Sequence, residues 1–242
     1  MTERARVVEV DLPGARVGFS SRIGGVSDRP YDTLNLGILT GDRHEHVLEN
    51  RTRLTEQLGL GIDRVAMGWQ VHGADVLEWD APPDRGGFAE PGAELEKVDG
   101  HVTDIPELAL LVLVADCLPV ALVGEGRVAM LHCGWRGLAA GIVERAVDRF
   151  DRPPAAVIGP GIESCCYEVG DEVLAAFEDL PGIADGRMLN LREVASRKLR
   201  AAGVREQQHV AGCTCCSAEL YFSHRRDGPD TGRQAGLVWL TG

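Results

Sequence analysis

Long apolar runs are scarce in this sequence of 242 residues. The most apolar stretch, Leu108 to Val123, is interrupted by Asp116 and Pro119. It falls short of the ~20 apolar residues that a membrane-spanning helix needs, and reads as two buried strands. The opening MTERARVVEVDLPGAR alternates charge with apolar groups and lacks the apolar core of a secretory signal, so a cytoplasmic location is expected. Basic charge is in deficit: 25 Lys and Arg against 37 Asp and Glu give a formal net charge of -12. That balance opposes attraction to nucleic acid or an anionic membrane and leaves small molecules as the expected partners. GxxxxGKS/T, GxGxxG and HExxH are missing, which leaves nucleoside triphosphate, dinucleotide and zincin chemistries without sequence support. No repeat or low-complexity tract marks a linker, so residues 1–242 are expected to form a single domain. Cysteine numbers seven, an odd count for paired disulfides in a chain large enough to fold without them. Free thiols in a reducing compartment follow.

What is present is a series of short apolar runs. Val65–Trp69, Leu108–Val114, Val120–Val123, Val128–Leu131, Ala156–Ile158, His209–Ala211 and Leu237–Leu240 are strand-length, and several are rich in Val. Helices are predicted over 43–58, 138–150, 171–178 and 191–202. The first has a capping-box pattern at Asp42 and Glu45 and a stop at Gly59. The last has an Asn190 cap and a stop at Gly203. The Pro-, Gly- and acid-rich stretch 80–97 is read as a surface loop. Hairpin-length gaps beside longer helical connections predict an α+β fold with a mixed sheet.

Three of the apolar runs lead into a metal-capable side chain and then a turn: GWQVHG at His72, LVADCLP at Cys117 and VAMLHCGWRG at His132. The short links between 108–114, 120–123 and 128–131 suggest one antiparallel meander. Cys117 and His132 would then leave the same sheet edge two strand spacings apart, roughly 10 Å. Two imidazoles and a thiolate leave one open position on a tetrahedral zinc, as catalytic sites do. Taken singly, a His at a strand end is usually a hydrogen-bonded structural histidine, and a lone Cys is usually a small buried hydrophobe. Arg136, in the turn after His132, could hold an anion beside the metal, and Arg22, among the glycines of SRIGGVS, is a weaker candidate for ligand contact. Arg225 and Arg226 suit phosphate or acidic neighbours, with surface pairing favoured. Cys213 and Cys216 form one CxxC and Cys165 and Cys166 an adjacent pair; without a second CxxC, no separate structural zinc site is expected.

The ordered motifs SRIGGVS, YDTLNLG, WQVHG, VDGHVTD, ADCLPV, LHCGWRGL, IGPGIESCCYEVG and YFSHRRDG resemble, almost end to end, the YfiH or multicopper polyphenol oxidase (laccase-domain) family, whose members are also called purine nucleoside phosphorylases. The resemblance implies a layered α/β/β sandwich and zinc on His72, Cys117 and His132. It also implies phosphorolysis of adenosine, inosine, guanosine and methylthioadenosine with phosphate as co-substrate, and deamination of adenosine. Within these motifs Asp116 is a candidate acid/base or turn-capping residue, and Arg22, Asn35, Gln70 and Arg136 are candidates for substrate contact. One departure is Cys133, where the family usually has Ala; it could ligate, oxidise or pack.

Three rival readings stand beside this one. A copper oxidase would need an axial ligand such as Met130, which strand alternation places a pleat behind His132, and a trinuclear cluster needs more imidazoles than seven histidines can spare. A cysteine hydrolase editing peptidoglycan precursors would use Cys117 as nucleophile. A binding module would need no open metal site.

Overall fold

A computed structural model describes residues 4–83, 87–90 and 94–242. Part of the loop expected over 80–97 lies outside these residues; the described parts of it carry no helix or strand. The opening alternation proves to be a hairpin, β1 (Val7–Leu12) and β2 (Ala15–Ser20), closed at Pro13 and Gly14 with Leu12 opposite Ala15. Gly14 supplies the positive φ of 76° that the turn requires.

The hairpin starts a five-stranded sheet. It continues through β13 (Gln234–Leu240) to β6 (Ala109–Val114) and β3 (Val65–Ala66), all antiparallel except the last pair. A six-stranded sheet runs in the order β12 (Gln207–His209), β9 (Ala155–Ile158), β7 (Leu118–Gly124), β8 (Arg127–Cys133), β5 (Gly100–Thr103), β4 (Val76–Trp79). Its two outermost pairs are parallel and the rest antiparallel. A small ribbon, β10 (Ala184–Asp185) with β11 (Met188–Leu189), stands apart.

The two sheets face each other. Leu110, Val112 and Val238 of the first pack against Ala121, Met130 and Val157 of the second. The alternate residues Leu118, Val120 and Leu131 point the other way. They meet α2 (Trp135–Ala139), α3 (Ile142–Val147), α4 (Asp171–Ala175) and α5 (Leu191–Ala201) through Leu138, Ile142, Val173 and Val194. This is the expected α/β/β layering. A fourth layer is added by α1 (His44–Leu58), whose Leu54 and Leu58 cover Leu111, Leu237 and Trp239 on the outside of the first sheet. Each fully buried Leu in these layers contributes roughly 1.5–3 kcal/mol. No helix among the described residues is long and apolar enough to cross a membrane.

The predicted three-strand meander does not form. β6 pairs with β13 and β3, whereas β7 and β8 belong to the other sheet, so the chain changes sheets at Ala115–Cys117. Both sheets are covered on both faces, so an apolar run does not say which sheet it joins. The switch is made at Asp116, buried with φ of 92°. Cys117 and His132 consequently approach across one pairing, with Leu118 opposite Cys133 and Pro119 opposite His132.

The predicted helix over 138–150 is two short ones, because Gly141 takes a φ of 87° between them. Gly59 and the Asn190 cap act as expected, the latter accepting from Glu193 N–H at 3.0 Å. The Asp42 capping box does not form: Arg43 is the N-cap, and Asp42 accepts instead from Ser27 Oγ at 2.6 Å and Asn35 Nδ2 at 2.9 Å.

Candidate metal centre and cleft

His72 follows the short β3 in a loop and takes a φ of 59°, unusual for a side-chain-bearing residue. Asp99, fully buried at the start of β5, holds that conformation. Its carboxylate accepts from the N–H groups of Val71 at 3.0 Å, His72 at 2.9 Å and Gly73 at 2.7 Å. The same carboxylate bonds Nδ1 of His132 at 2.7 Å, and His132 N–H donates to the Asp99 carbonyl at 2.8 Å. One acid therefore fixes both histidines and leaves Nε2 of His132 for a ligand. The two rings meet edge to face with centroids 4.8 Å apart, and one ligand atom from each of His72, Cys117 and His132 lies within 4.8 Å of the others. A Cβ on Gly134 would stand 3.0 Å from Cys117 Sγ and 3.2 Å from His72 Cδ2, so the chain passes close behind the group only because glycine is there.

Burial opposes ionisation of Cys117, but the adjacent His132 and His72 hold its thiol down at about 6. Burial equally opposes protonation of His132, while Cys117 and Asp99 lift it to about 9. Cys117 and His132 thus each favour the charged form of the other. Cys133 points the opposite way into the helix-side core, where burial raises its thiol well above the usual range. Met130 is fully buried between the sheets.

His72, Cys117 and His132 line a cleft of about 540 Å³. Gln70 and Arg136 line it. Gln70 is clamped to β6, donating to Leu113 O and accepting from Leu113 N–H, both at 2.7 Å. The exposed Arg136 stacks 4.4 Å from the Trp135 ring. Arg22 and Asn35 are not among the lining residues. Arg22 donates to Asp32 and to Ala218 O. Asn35, fully buried, bonds Gly37, Thr40, Asp42 and Arg233 and so shapes the wall at 37–40. Asp116 lines the cleft, with Oδ1 accepting from Thr214 Oγ1 and Oδ2 from Arg225 N–H, both at 2.7 Å.

The wall also holds groups that sequence reasoning passed over: Arg233, Tyr167, His224 and Trp69. Arg225 joins them rather than pairing at the surface, whereas Arg226 pairs with Asp227 at 2.6 Å. Arg225 and Arg233 each give Nη1 to two backbone carbonyls. An acidic chain thus presents three guanidiniums to one cleft. Asp99 lay in the motif VDGHVTD without being singled out; its signal was an acid two residues before a histidine at a strand start. A second metal-capable group also forms, from Cys165, Cys166, Cys213 and Cys216. The adjacent pair supplies what a second CxxC would have.

A family profile described as multi-copper polyphenol oxidoreductase laccase matches residues 16–241. The purine nucleoside phosphorylase YfiH of Escherichia coli is 38% identical over 94% of each chain, and purine nucleoside phosphorylase SCO2081 of Streptomyces coelicolor is 40% identical over 94% of this chain and 96% of its own. The crystal structure of YlmD from Geobacillus stearothermophilus superposes with a TM-score of 0.88 at 34% identity, over 95% of this chain and 93% of that one.

Proposed function

Since the chain belongs to the multi-copper polyphenol oxidoreductase laccase family, we propose that it is a zinc-dependent purine nucleoside phosphorylase that also deaminates adenosine. The observation that carries this reading is one cleft joining the His72, Cys117 and His132 group to Arg136, Arg225 and Arg233. Its volume of about 540 Å³ suits a nucleoside with phosphate. Two nitrogens and one sulfur fit zinc with a position left open, and Asp99 behind His132 is the partner a ligating histidine takes. When bound, zinc supplies Lewis acidity that brings the pKa of water toward ~7.

The chain's own groups do the rest. Arg136, with the free edges of Arg225 and Arg233, holds phosphate against C1′ of the ribose; its oxygen bonds C1′ as the glycosidic bond breaks and the purine leaves. Trp69 and Tyr167 offer faces to the base. In deamination water adds at C6 of adenine and ammonia leaves. Asp116 acts by position, holding Arg225 N–H and Thr214 on either side of the sheet switch. The free thiols suit a cytoplasmic setting.

A second reading rests on the line Cys117, His132, Asp99, which matches nucleophile, base and orienting acid of a cysteine hydrolase. The second imidazole, His72, favours metal, because a nucleophile needs one base. Multinuclear copper lacks its ligands: among the described residues His44, His46, His101, His209 and His224 form no further metal-capable group, and Met130 is core.

The test is turnover by zinc-loaded protein. Inosine should give hypoxanthine and ribose 1-phosphate only when phosphate is supplied, and adenosine should give inosine and ammonia without it. Absence of turnover on every purine nucleoside in zinc-loaded protein would overturn the assignment.

A further inference from the structure

We propose that Cys165, Cys166, Cys213 and Cys216 form a second zinc site, a closed tetrathiolate centre outside the catalytic cleft. Their four sulfurs lie within 4.8 Å of one another, with Cys216 3.3 Å from Cys166 and 3.5 Å from Cys165. Sulfurs ~2.3 Å from zinc at the corners of a tetrahedron stand ~3.8 Å apart, so the four are already spaced for one ion. A disulfide occupies two sulfurs at ~2.05 Å and gives no reason for four to converge.

The backbone explains how this spacing arises from only one CxxC. Residues 164–166 form a turn in which the N–H groups of Cys166 and Tyr167 both bond Glu163 O, at 2.9 and 3.0 Å. Neighbouring side chains diverge by roughly 100° in such a turn rather than the 180° of a strand, so both adjacent thiols can reach one point. The CxxC segment comes alongside through a parallel bridge of Gly161 with Cys213, and Thr214 N–H donates to Gly161 O at 3.1 Å. Cys213 Sγ accepts backbone N–H bonds from Glu163 and Cys216, one from each segment. Arg192 lies within electrostatic reach of Cys213 and offsets part of the thiolates' charge.

Soft sulfur in tetrahedral array selects zinc or iron over hard ions. The exposed Cys165 and Cys216 give a free ion its entry path, and four sulfurs leave no position for substrate. The ion would therefore tie two loops rather than catalyse. Both abut the cleft: Tyr167 follows Cys166, Arg225 Nη1 donates to Cys166 O at 3.2 Å, and Thr214 Oγ1 donates to Asp116.

The test uses the full chain with Cys117→Ser, which removes the cleft ligand, purified without added metal and then offered zinc alone. This protein should retain one zinc per chain with about four sulfur neighbours at ~2.3 Å by X-ray absorption. Adding Cys216→Ser should lose that zinc and lower Tm by several degrees, while Cys216→His, which keeps a fourth ligand, should restore both. Iron in place of zinc would overturn the choice of ion. A zinc-free Cys117→Ser protein, or zinc bound through nitrogen and oxygen, would overturn the site, as would peptide mapping that finds the four cysteines in disulfides. Failure of the phosphorylase reading would leave this result unchanged, because no readout depends on turnover.

Discussion

The two sulfur-bearing groups of this chain sit on either side of Asp116 and are built on opposite plans. The cleft group brings together nitrogen and sulfur atoms that could hold a metal, each presented by a loop or strand end that Asp99 or a sheet pairing fixes, and it lines a cavity. The four-cysteine group has sulfur alone, lies partly at the surface and is organised by backbone amides and a single bridge. The electrostatics differ in the same sense. Cys117 is held down at about 6 by neighbouring imidazoles, whereas burial and neighbouring thiols push Cys165 up to about 11. A thiol flanked by two imidazoles and open to a cavity suits chemistry; four thiols that converge on one another suit an ion that completes the fold.

The sharpest way to break this contrast is Cys117→Ser. It should reduce turnover more than ~100-fold, since loss of a ligand exceeds the 10–100-fold usual for outer partners, and leave the four-cysteine group intact. Metal content and kcat measured together decide it. Full cleft zinc with no activity would make Cys117 a nucleophile and raise the hydrolase reading.

Asp99→Asn comes next. The amide keeps one acceptor but offers N–H where the carboxylate met the N–H groups of Val71, His72 and Gly73. Cleft metal affinity should fall ~10–100-fold and stability by roughly 1–3 kcal/mol, read by chelator competition and thermal melting. A fall in stability with unchanged affinity would reduce Asp99 to a loop anchor.

How much of this was visible in the residues divides along the same line. That His72, Cys117 and His132 come together was legible because each ends an apolar run and carries a metal-capable side chain. Their geometry was not: the meander assumed that consecutive strands share a sheet, and Asp116 breaks that assumption. The β1–β2 hairpin is visible in the alternation of apolar and polar residues around Pro13–Gly14. The four-cysteine group was illegible from spacing, because it depends on a turn and a bridge between distant segments; Cys165 and Cys216 are 51 residues apart. Arg22 and Asn35 sit in motifs that read as ligand-binding, yet they fasten the chain to itself.

Arg136→Ala should separate the two proposed reactions. The side chain stands exposed on Trp135 and makes no hydrogen bond or ion pair to another described residue, so removing it disturbs little. KM for phosphate should rise ~10-fold, about 1.4 kcal/mol, with adenosine deamination changed less than ~2-fold. Equal loss of both activities would remove Arg136 as the phosphate anchor.

Cys133→Ala should have the smallest effect. Its neighbour His132 faces the cleft, but strand alternation turns Cys133 onto the helix-side core with Leu131 and Leu138, where it is fully buried. Removing one sulfur from a packed core costs about 1 kcal/mol, or ~2–4 °C in Tm for a chain of this size. Zinc content and kcat should stay within ~2-fold of the parent, because the thiol lies across the sheet from the open coordination position and burial keeps it protonated. A loss of cleft zinc in this variant would mean that the sulfur facing the metal is Cys133 and not Cys117, and the contrast between a catalytic and a packing thiol on paired strands would fail.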